Sequence, residues 1–408
     1  MRRVDELKTS RFSRQLWIDE VTGPLAFARL RAEWNGLHRR SRQAPFLAWE
    51  WLYPWWRRVR PWAEPRVFTI RDGTGHLRAI LPLCETTCRG ARRWGFLGDG
   101  EVGSDGLDLI CLPEERVELA GRCADFLATH AGRFDVLELL DVPEGAPLID
   151  ALVRRFSAED AWVEVTPRYR CPRIDLKGTW EEFLKTFGRA DNLRRRRRHL
   201  ERQEAFFIER ADQPAALRGA LETFFELHAR RWQADGGSQG IRGREVRAFH
   251  RDAVALLAES GLVRLYTLHL DGVALASLYA IDWDGRAYFY QSGFDPAFAK
   301  LSAGLVLMGE SVAESFARSL TSYEFLRGEE PYKFEWANAE SRTVGLSIVR
   351  HSSAGARFRF QERAVERLKA MARGQMGDAD WRTLSRWRRE ARRRLEQISS
   401  GFWENGGD

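Results

Sequence analysis

Along this chain the spacing of apolar and polar positions switches between helical and strand periods, and the order of the switches occurs twice. In the first half, residues from about 24 to 40 and 46 to 59 carry apolar positions at helical spacing. "RVFTIRDGTGHLRAILPL" follows, two apolar runs around Asp72-Gly73, which predicts strand, turn and strand. "GLDLICL" predicts a further strand, leading into a helix over about 113–130 and then into the strand "FDVLELL". In the second half, helical spacing covers about 180–204, 213–233 and 244–259. "LVRLYTLHLDGVALASLYAI" again reads as strand, turn and strand, with Asp271-Gly272 at the turn, and Asp284-Gly285 turns into "RAYFYQS". A helix over about 303–319 and the strand "SYEFLRG" complete the second copy.

Each half therefore reads as helices, an antiparallel meander, one helix and one more strand, a mixed α+β unit used twice. Identity between the halves is negligible, so the repeat rests on element order. The junction is expected near "TPRYRCPRIDLKGTWEEFL", where two prolines interrupt and Thr179 with Glu182 forms a capping box. This gives units over 1–168 and 169–352 and a helical tail over 353–408. Phe358, Val365 and Leu368 mark the tail's periodicity, and two helices are expected there, the first packed on the second unit.

At 408 residues and 44% hydrophobic, the chain is too long for one ordinary core and suggests two domains, or one large one. "MRRVDELKTSRF" has no apolar stretch behind its basic residues, and no window is long enough to span a bilayer, so a cytoplasmic protein is expected. Cys84, Cys88, Cys111, Cys123 and Cys171 form no paired CxxC units, and no histidine or acidic cluster has metal spacing, so no metal is expected. The formal charge of +7 and a pI near 9.3 point to an anionic partner. Arg194 to Arg198 and the tail stretch "WRTLSRWRREARRRLEQ" are the candidates for holding phosphates, a polyanion or an anionic membrane, against the alternative of solvated helix faces.

The two copies differ where their last helix begins. Amides at a helix start attract anions, and acids in the first turn oppose this. The first copy starts with "CLPEERVELA", where Pro113 removes an amide and Glu114 and Glu115 add negative charge. The second starts with "KLSAGLVLM", with Lys300, Ser302 and Gly304 and no acid before Glu310. Only the second suits a phosphate. The alternative is that Gly304 permits close packing and Ser302 caps the helix.

The second half resembles the acyltransferase domain of CelD-type cellulose biosynthesis proteins, a branch of the GNAT superfamily related to the FemAB aminoacyl transferases. The resemblance runs through "CPRIDLKGTWEEFLKTF", the arginine-rich segment, "LHARRW", "GVALASLYAI", "YFYQSGFDPAF", "LSAGLVL" and "FLRGEEPYKFEWA", covering roughly 170 to 340. It implies tandem GNAT-like, FemAB-like domains, the first degenerate. It also implies that Lys300, Ser302, Ala303, Gly304 and Leu305 hold the pyrophosphate of an acyl-coenzyme A, acetyl-coenzyme A in the first instance. The glycine pattern departs from the RxxGxG or A loop of standard GNAT enzymes, since Gly304 alone remains.

Attack of an amine or hydroxyl on a thioester needs a base, an oxyanion donor and an acid for the leaving thiolate. Beside the last strand, Glu324 or Glu329 are candidates for the base, Tyr332 for the acid or donor, and Lys333 for holding a phosphate or carboxylate. His228 and Arg231, three apart on one helix, are candidates for substrate binding through the family motif. Asp295-Pro296 reads as a turn start, and Trp49, Trp51, Trp55 and Trp56 as core with a sugar platform as the alternative. The resulting expectation is an acyl-coenzyme A dependent N- or O-acyltransferase in polysaccharide or surface glycoconjugate biosynthesis. An aminoacyl-tRNA dependent FemAB-like transferase and a non-catalytic scaffold of a polymer-synthesis complex are the alternatives.

Overall fold

A computed structural model describes residues 2–7, 16–234, 241 and 243–375. The second tail helix expected beyond 376, with its basic stretch, lies outside the described residues. The first copy comprises β1 (Arg2–Leu7), β2 (Leu16–Val21), α1 (Pro24–Arg29), α2 (Arg31–Ser41), α3 (Trp49–Arg58), β3 (Glu64–Asp72), β4 (Leu77–Cys88), β5 (Ala91–Phe96), β6 (Ile110–Cys111), α4 (Arg116–Thr129), β7 (Val136–Pro143), α5 (Pro147–Phe156) and β8 (Ala161–Asp175). The second comprises α6 (Trp180–Thr186), α7 (Ala190–Glu201), β9 (Phe207–Ala211), α8 (Pro214–Ala234), α9 (Arg244–Ala258), β10 (Val263–Leu270), β11 (Val273–Trp283), β12 (Arg286–Phe294), α10 (Ala303–Ala317), β13 (Ser322–Glu324), α11 (Pro331–Trp336) and β14 (Ala339–Arg350); α12 (Ser353–Gln375) follows.

The element order of the two copies matches in three dimensions. The meander β3-β4-β5 is followed by α4 and by β7, which pairs parallel with β5; β10-β11-β12 is followed by α10 and by β13, parallel to β12. Each of these last strands has a left-handed residue near its end, Asp141 at φ 59° in a register irregularity inside β7 and Leu326 at φ 59° just beyond β13, and the chain then enters a proline-started helix, α5 or α11. The final strands are exchanged between copies. β8 runs antiparallel to β13, β14 runs antiparallel to β7, and β8 and β14 pair along their length, so the 14 strands among the described residues join one mixed sheet. The expected junction at 168/169 falls inside β8.

Several elements are shorter than the sequence pattern suggests. The segment 180–204 is two helices, because Phe187 leaves the helical region before Gly188; the capping box of Thr179 and Glu182 forms as expected. "SYEFLRG" supplies only three strand residues because Leu326 turns the chain away, and "GLDLICL" only Ile110–Cys111. The first tail helix, α12, rests through Phe358 on Val349 of β14, the second copy's strand as expected, and also on Ala91 of β5 and Val136 of β7 in the first copy. The tryptophans of α3 are core: Trp51 and Trp55 are fully buried, Trp49 and Trp56 nearly so.

Helices cover both faces of the sheet. On one face α3 meets α9 across the boundary between copies, with Trp51 edge-on to Phe249 of α9 at 4.8 Å and to Tyr290 of β12 at 5.4 Å. On the other, α6, α7 and α10 enclose a second core around Tyr323, Phe325 and Trp336. α7 approaches α10 closely, since a Cβ on Gly309 would lie 2.8 Å from Leu193. This contact fixes the arginine-rich helix beside the start of α10.

Candidate active site

The start of α10 is shaped by Ser302, a non-glycine residue in the left-handed region at φ 57° and ψ 37°. It ends a short 3-10 turn over Pro296–Leu301 that Asp295 caps, accepting from the Ala297 amide at 2.9 Å. The Ser302 hydroxyl makes no capping bond. The Ser302 amide donates to the Ala299 carbonyl and the Leu305 amide to the Ser302 carbonyl, at 3.1 and 3.0 Å, which leaves Ala303 and Gly304 as the amides directed along the helix axis. The first turn holds no acid, and Glu310 further along is paired with Arg197 and Arg210. A Cβ on Gly304 would meet nothing nearer than Phe294 at 4.0 Å, so close packing does not demand the glycine. The matching end in the first copy carries Glu114 and Glu115, the latter paired with Arg78, and so sets negative charge where a phosphate would have to approach.

Lys300 is exposed, and its carbonyl accepts from Arg196 of α7 at 2.8 Å. The neighbouring arginines are partly engaged, Arg194 with Asp191 at 3.3 Å and Arg197 with Glu201 at 2.8 Å.

A cleft opens between the copies at the end of β12 and β13. It holds about 510 Å³ of empty space, mouth included, and is lined by Val102 and Gly103 of the first copy with Arg231, Tyr290, Arg327, Glu330, Tyr332 and Lys333 of the second. Arg231 donates to the Ser292 carbonyl and hydroxyl at 3.2 and 3.0 Å, lies 5.3 Å over the Phe294 ring, and hydrogen-bonds Tyr332. Burial, with the Glu330 carboxylate nearby, raises the Tyr332 phenol well above its ordinary value, so it carries its proton at neutral pH. Lys333 is buried; its Nζ donates to the Arg327 carbonyl at 2.7 Å and lies 3.1 Å from a Glu330 oxygen. Gly328 at φ 126° makes that pair possible, since a Cβ there would lie 2.2 Å from the Glu330 carboxylate.

The cleft thus gathers Arg231, Tyr332 and Lys333 from the sequence candidates. Glu324 lies elsewhere: it accepts from the Ser322 hydroxyl at 2.6 Å and pairs along the sheet with Arg173 and Tyr288. Glu329 is exposed at the loop surface, and the adjacent Glu330 takes the inward position. His228 is buried under β12 behind the cleft, its amide nitrogen 2.3 Å from where a Cβ of Gly293 would sit.

Sequence reasoning missed the first copy's contribution. The stretch "GDGEVGSDG" turns through left-handed glycines at 98, 100, 103 and 106 and is pinned into the second copy. Tyr290 donates to the Val102 carbonyl at 2.6 Å, the Arg327 amide donates to Asp105 at 2.6 Å, and the Arg327 guanidinium pairs with Asp141. Burial pushes the Asp105 carboxyl up to about 6, against the pull of Arg327 and with the push of Asp141. The density of glycines between a strand and a helix was the available clue.

Residues 188–334 match the family described as acetyltransferase (GNAT) domain. The chain carries a GNAT-type acyltransferase domain. Its fold is shared with solved structures at low identity. The structure titled FemX is 12% identical, with 78% of this chain and 95% of that one covered at a TM-score of 0.57. The C-terminal domain of a putative lysylphosphatidylglycerol synthetase from Agrobacterium fabrum is 10% identical, covering 83% and 96% at 0.51. A conserved protein of unknown function from Bacteroides thetaiotaomicron is 10% identical, covering 81% and 100% at 0.51. Comparison with curated proteins finds no match. Among the described residues, no helix of this acyltransferase is long and apolar enough to cross a membrane, and no group of side chains has the makings of a metal site.

Proposed function

We propose that the protein transfers an acyl group from acyl-coenzyme A to an amine or hydroxyl, the donor pyrophosphate resting on the start of α10 and the acceptor entering the cleft beside Tyr332. The observation that carries this reading is the adjacency of the two features through one ring: Phe294 comes within 4.0 Å of where a Cβ on Gly304 would sit, and the Arg231 guanidinium lies 5.3 Å from the centre of its ring. The bound donor would supply the thioester. The chain supplies the amides of Ala303 and Gly304 for the pyrophosphate, with Ser302 and Leu305 shaping the turn and Lys300 and Arg196 adding positive charge. In the cleft, Glu330 takes the proton of the attacking nucleophile, a role that falls to it in place of Glu324 or Glu329. Tyr332, oriented by Arg231, gives its proton to the leaving thiolate, and Lys333 fixes Glu330. The first copy acts as a degenerate partner that walls the cleft with Val102 and Gly103. The acetyl donor and an acceptor from polysaccharide or surface glycoconjugate biosynthesis belong to this proposal through the CelD resemblance.

A second reading, an aminoacyl-tRNA donor, is favoured by the exposed arginines of α7 standing beside the same helix start. Calorimetric titration with acetyl-coenzyme A separates them. Micromolar binding to the wild type, lost in a folded Gly304→Glu variant, supports the first reading. No binding to the wild type overturns it, and charged tRNA, whose binding would collapse with rising salt, becomes the donor to test.

A further inference from the structure

α12 presents two unlike faces. Phe358, 3% exposed, seats the helix on Ala91, Val136 and Val349, and Arg359 of the same side lies 4.5 Å over the Trp162 ring. The opposite face carries Phe360, Ala364, Leu368 and Met371, spaced four, four and three residues apart and so in one stripe. Phe360 is 75% exposed, Leu368 53% and Met371 63%. Large apolar side chains this open, three in a row along one helix, form a patch that a solvated surface does not need.

Charge says what covers the patch. Arg357, Arg363 and Arg367 are exposed along the same stripe, whereas Glu362, the acid among the described side chains of the helix, is half-buried on the seated side. A second copy docked face to face would set arginine against arginine, with no exposed acid among the described side chains of the helix to lie between them. An anionic bilayer suits both components at once, because an amphipathic helix lying in the interface buries its apolar side chains among the acyl chains while its arginines meet lipid phosphates.

We propose that α12 is a membrane-surface docking element, with Phe360, Leu368 and Met371 entering the headgroup boundary of an anionic bilayer and Arg357, Arg363 and Arg367 engaging its phosphates. Docking here holds the enzyme against a membrane without a spanning segment. It does not depend on which acyl donor is used.

The test is co-sedimentation of the full-length protein with vesicles of phosphatidylcholine alone and of phosphatidylcholine mixed with phosphatidylglycerol. Binding is expected to the mixed vesicles only, and to weaken as salt rises. Phe360→Ser with Met371→Ser should reduce it at least about tenfold. Arg363→Gln with Arg367→Gln should reduce it by about fivefold for each charge removed. These side chains are exposed, so the melting temperature of both variants should match the wild type. Failure to bind the mixed vesicles overturns the proposal. So does binding that the Phe360 and Met371 changes leave untouched, which would move the contact to another basic surface such as α7. Concentration-dependent dimerisation abolished by Phe360→Ser would also overturn it, making a second copy the occupant.

Discussion

The guanidinium of Arg231 lies 5.3 Å over the ring of Phe294, and this stack joins the two halves of the candidate site. Phe294 ends β12 and is the nearest side chain to Gly304 at the start of α10; Arg231 reaches from α8 to Tyr332 in the cleft. One aromatic ring thus stands between the start of α10 and the cleft, the two places proposed for phosphate binding and proton transfer.

Phe294→Leu keeps apolar bulk beside Gly304 but removes the ring face that Arg231 covers. A cation–π contact contributes about 0.5–2 kcal/mol, so Arg231 and with it Tyr332 should be held less firmly. The expected outcome is a roughly two- to thirtyfold fall in the rate of coenzyme A release with an acceptor, at an almost unchanged melting temperature. Wild-type rates in a folded variant would show that the stack positions nothing.

Gly293 sits where β12 passes under α8, and a Cβ there would lie 2.3 Å from the His228 amide nitrogen and 2.5 Å from the Leu227 carbonyl carbon. Both contacts are with backbone, which no rotamer change relieves. Gly293→Ala should therefore destabilise the fold by about 1–3 kcal/mol and displace Arg231, one helical turn beyond His228. Denaturant unfolding would check the first effect and acyl transfer the second. A variant as stable and active as the parent would mean that α8 has more freedom here than the contact allows.

The meanders and the helices between them were legible because each strand, covered on both faces, is a short apolar run and each Asp-Gly pair marks a turn. Gly304 and the acid-free helix start were legible for a similar reason, since the other copy, with Glu114 and Glu115, served as an internal control. The exchanged strands were not. β8 carries Pro167, Pro172 and a run of exposed polar residues, and β14 begins with exposed charge, so neither shows a clean period of two. Glu330 was indistinguishable from Glu329 in sequence, because only the left-handed turns at Leu326 and Gly328 decide which carboxylate points inward. The pairing of Asp105 and Asp141 with Arg327 spans 222 and 186 residues and leaves no local pattern.

Asp108 is buried, accepts from the Leu109 amide at 2.7 Å, and has its carboxyl pushed up to about 6 by burial. Its folded value lies above the ordinary 3.8, so ionising it costs the folded state stability; the cost grows as pH rises from about 4 to 6 and is full above that. Asp108→Asn keeps the acceptor for Leu109 and removes the charge. The variant should be more stable than the wild type at pH 8 by about 1–3 kcal/mol, with the gain fading to nothing near pH 4. A gain that is constant with pH would rule out ionisation as its origin.

Two buried histidines act in the opposite sense. His38 of α2 hydrogen-bonds the Ala44 carbonyl at 2.9 Å and stacks on Trp283 of the second copy at 4.4 Å; His250 of α9 lies 3.3 Å from the Tyr290 hydroxyl. Burial lowers both to about 3 from 6.5, with His228 adding to the effect at His250. A base whose folded value is depressed stabilises the fold fully above about 6.5, and that contribution is lost as pH falls towards 3. At pH 5 the loss is about 2 kcal/mol for each ring. Over part of the same range Asp105 and Asp108 take up protons to the fold's advantage, which masks the loss in the wild type. Each pair therefore hides the other. In His38→Gln the difference in unfolding free energy between pH 7 and pH 5 should move in favour of pH 5 by about 2 kcal/mol, whatever the substitution costs at neutral pH. If the difference stays where it is in the wild type, His38 is protonated in the folded protein, and its stacking on Trp283 is a contact between a cation and an indole.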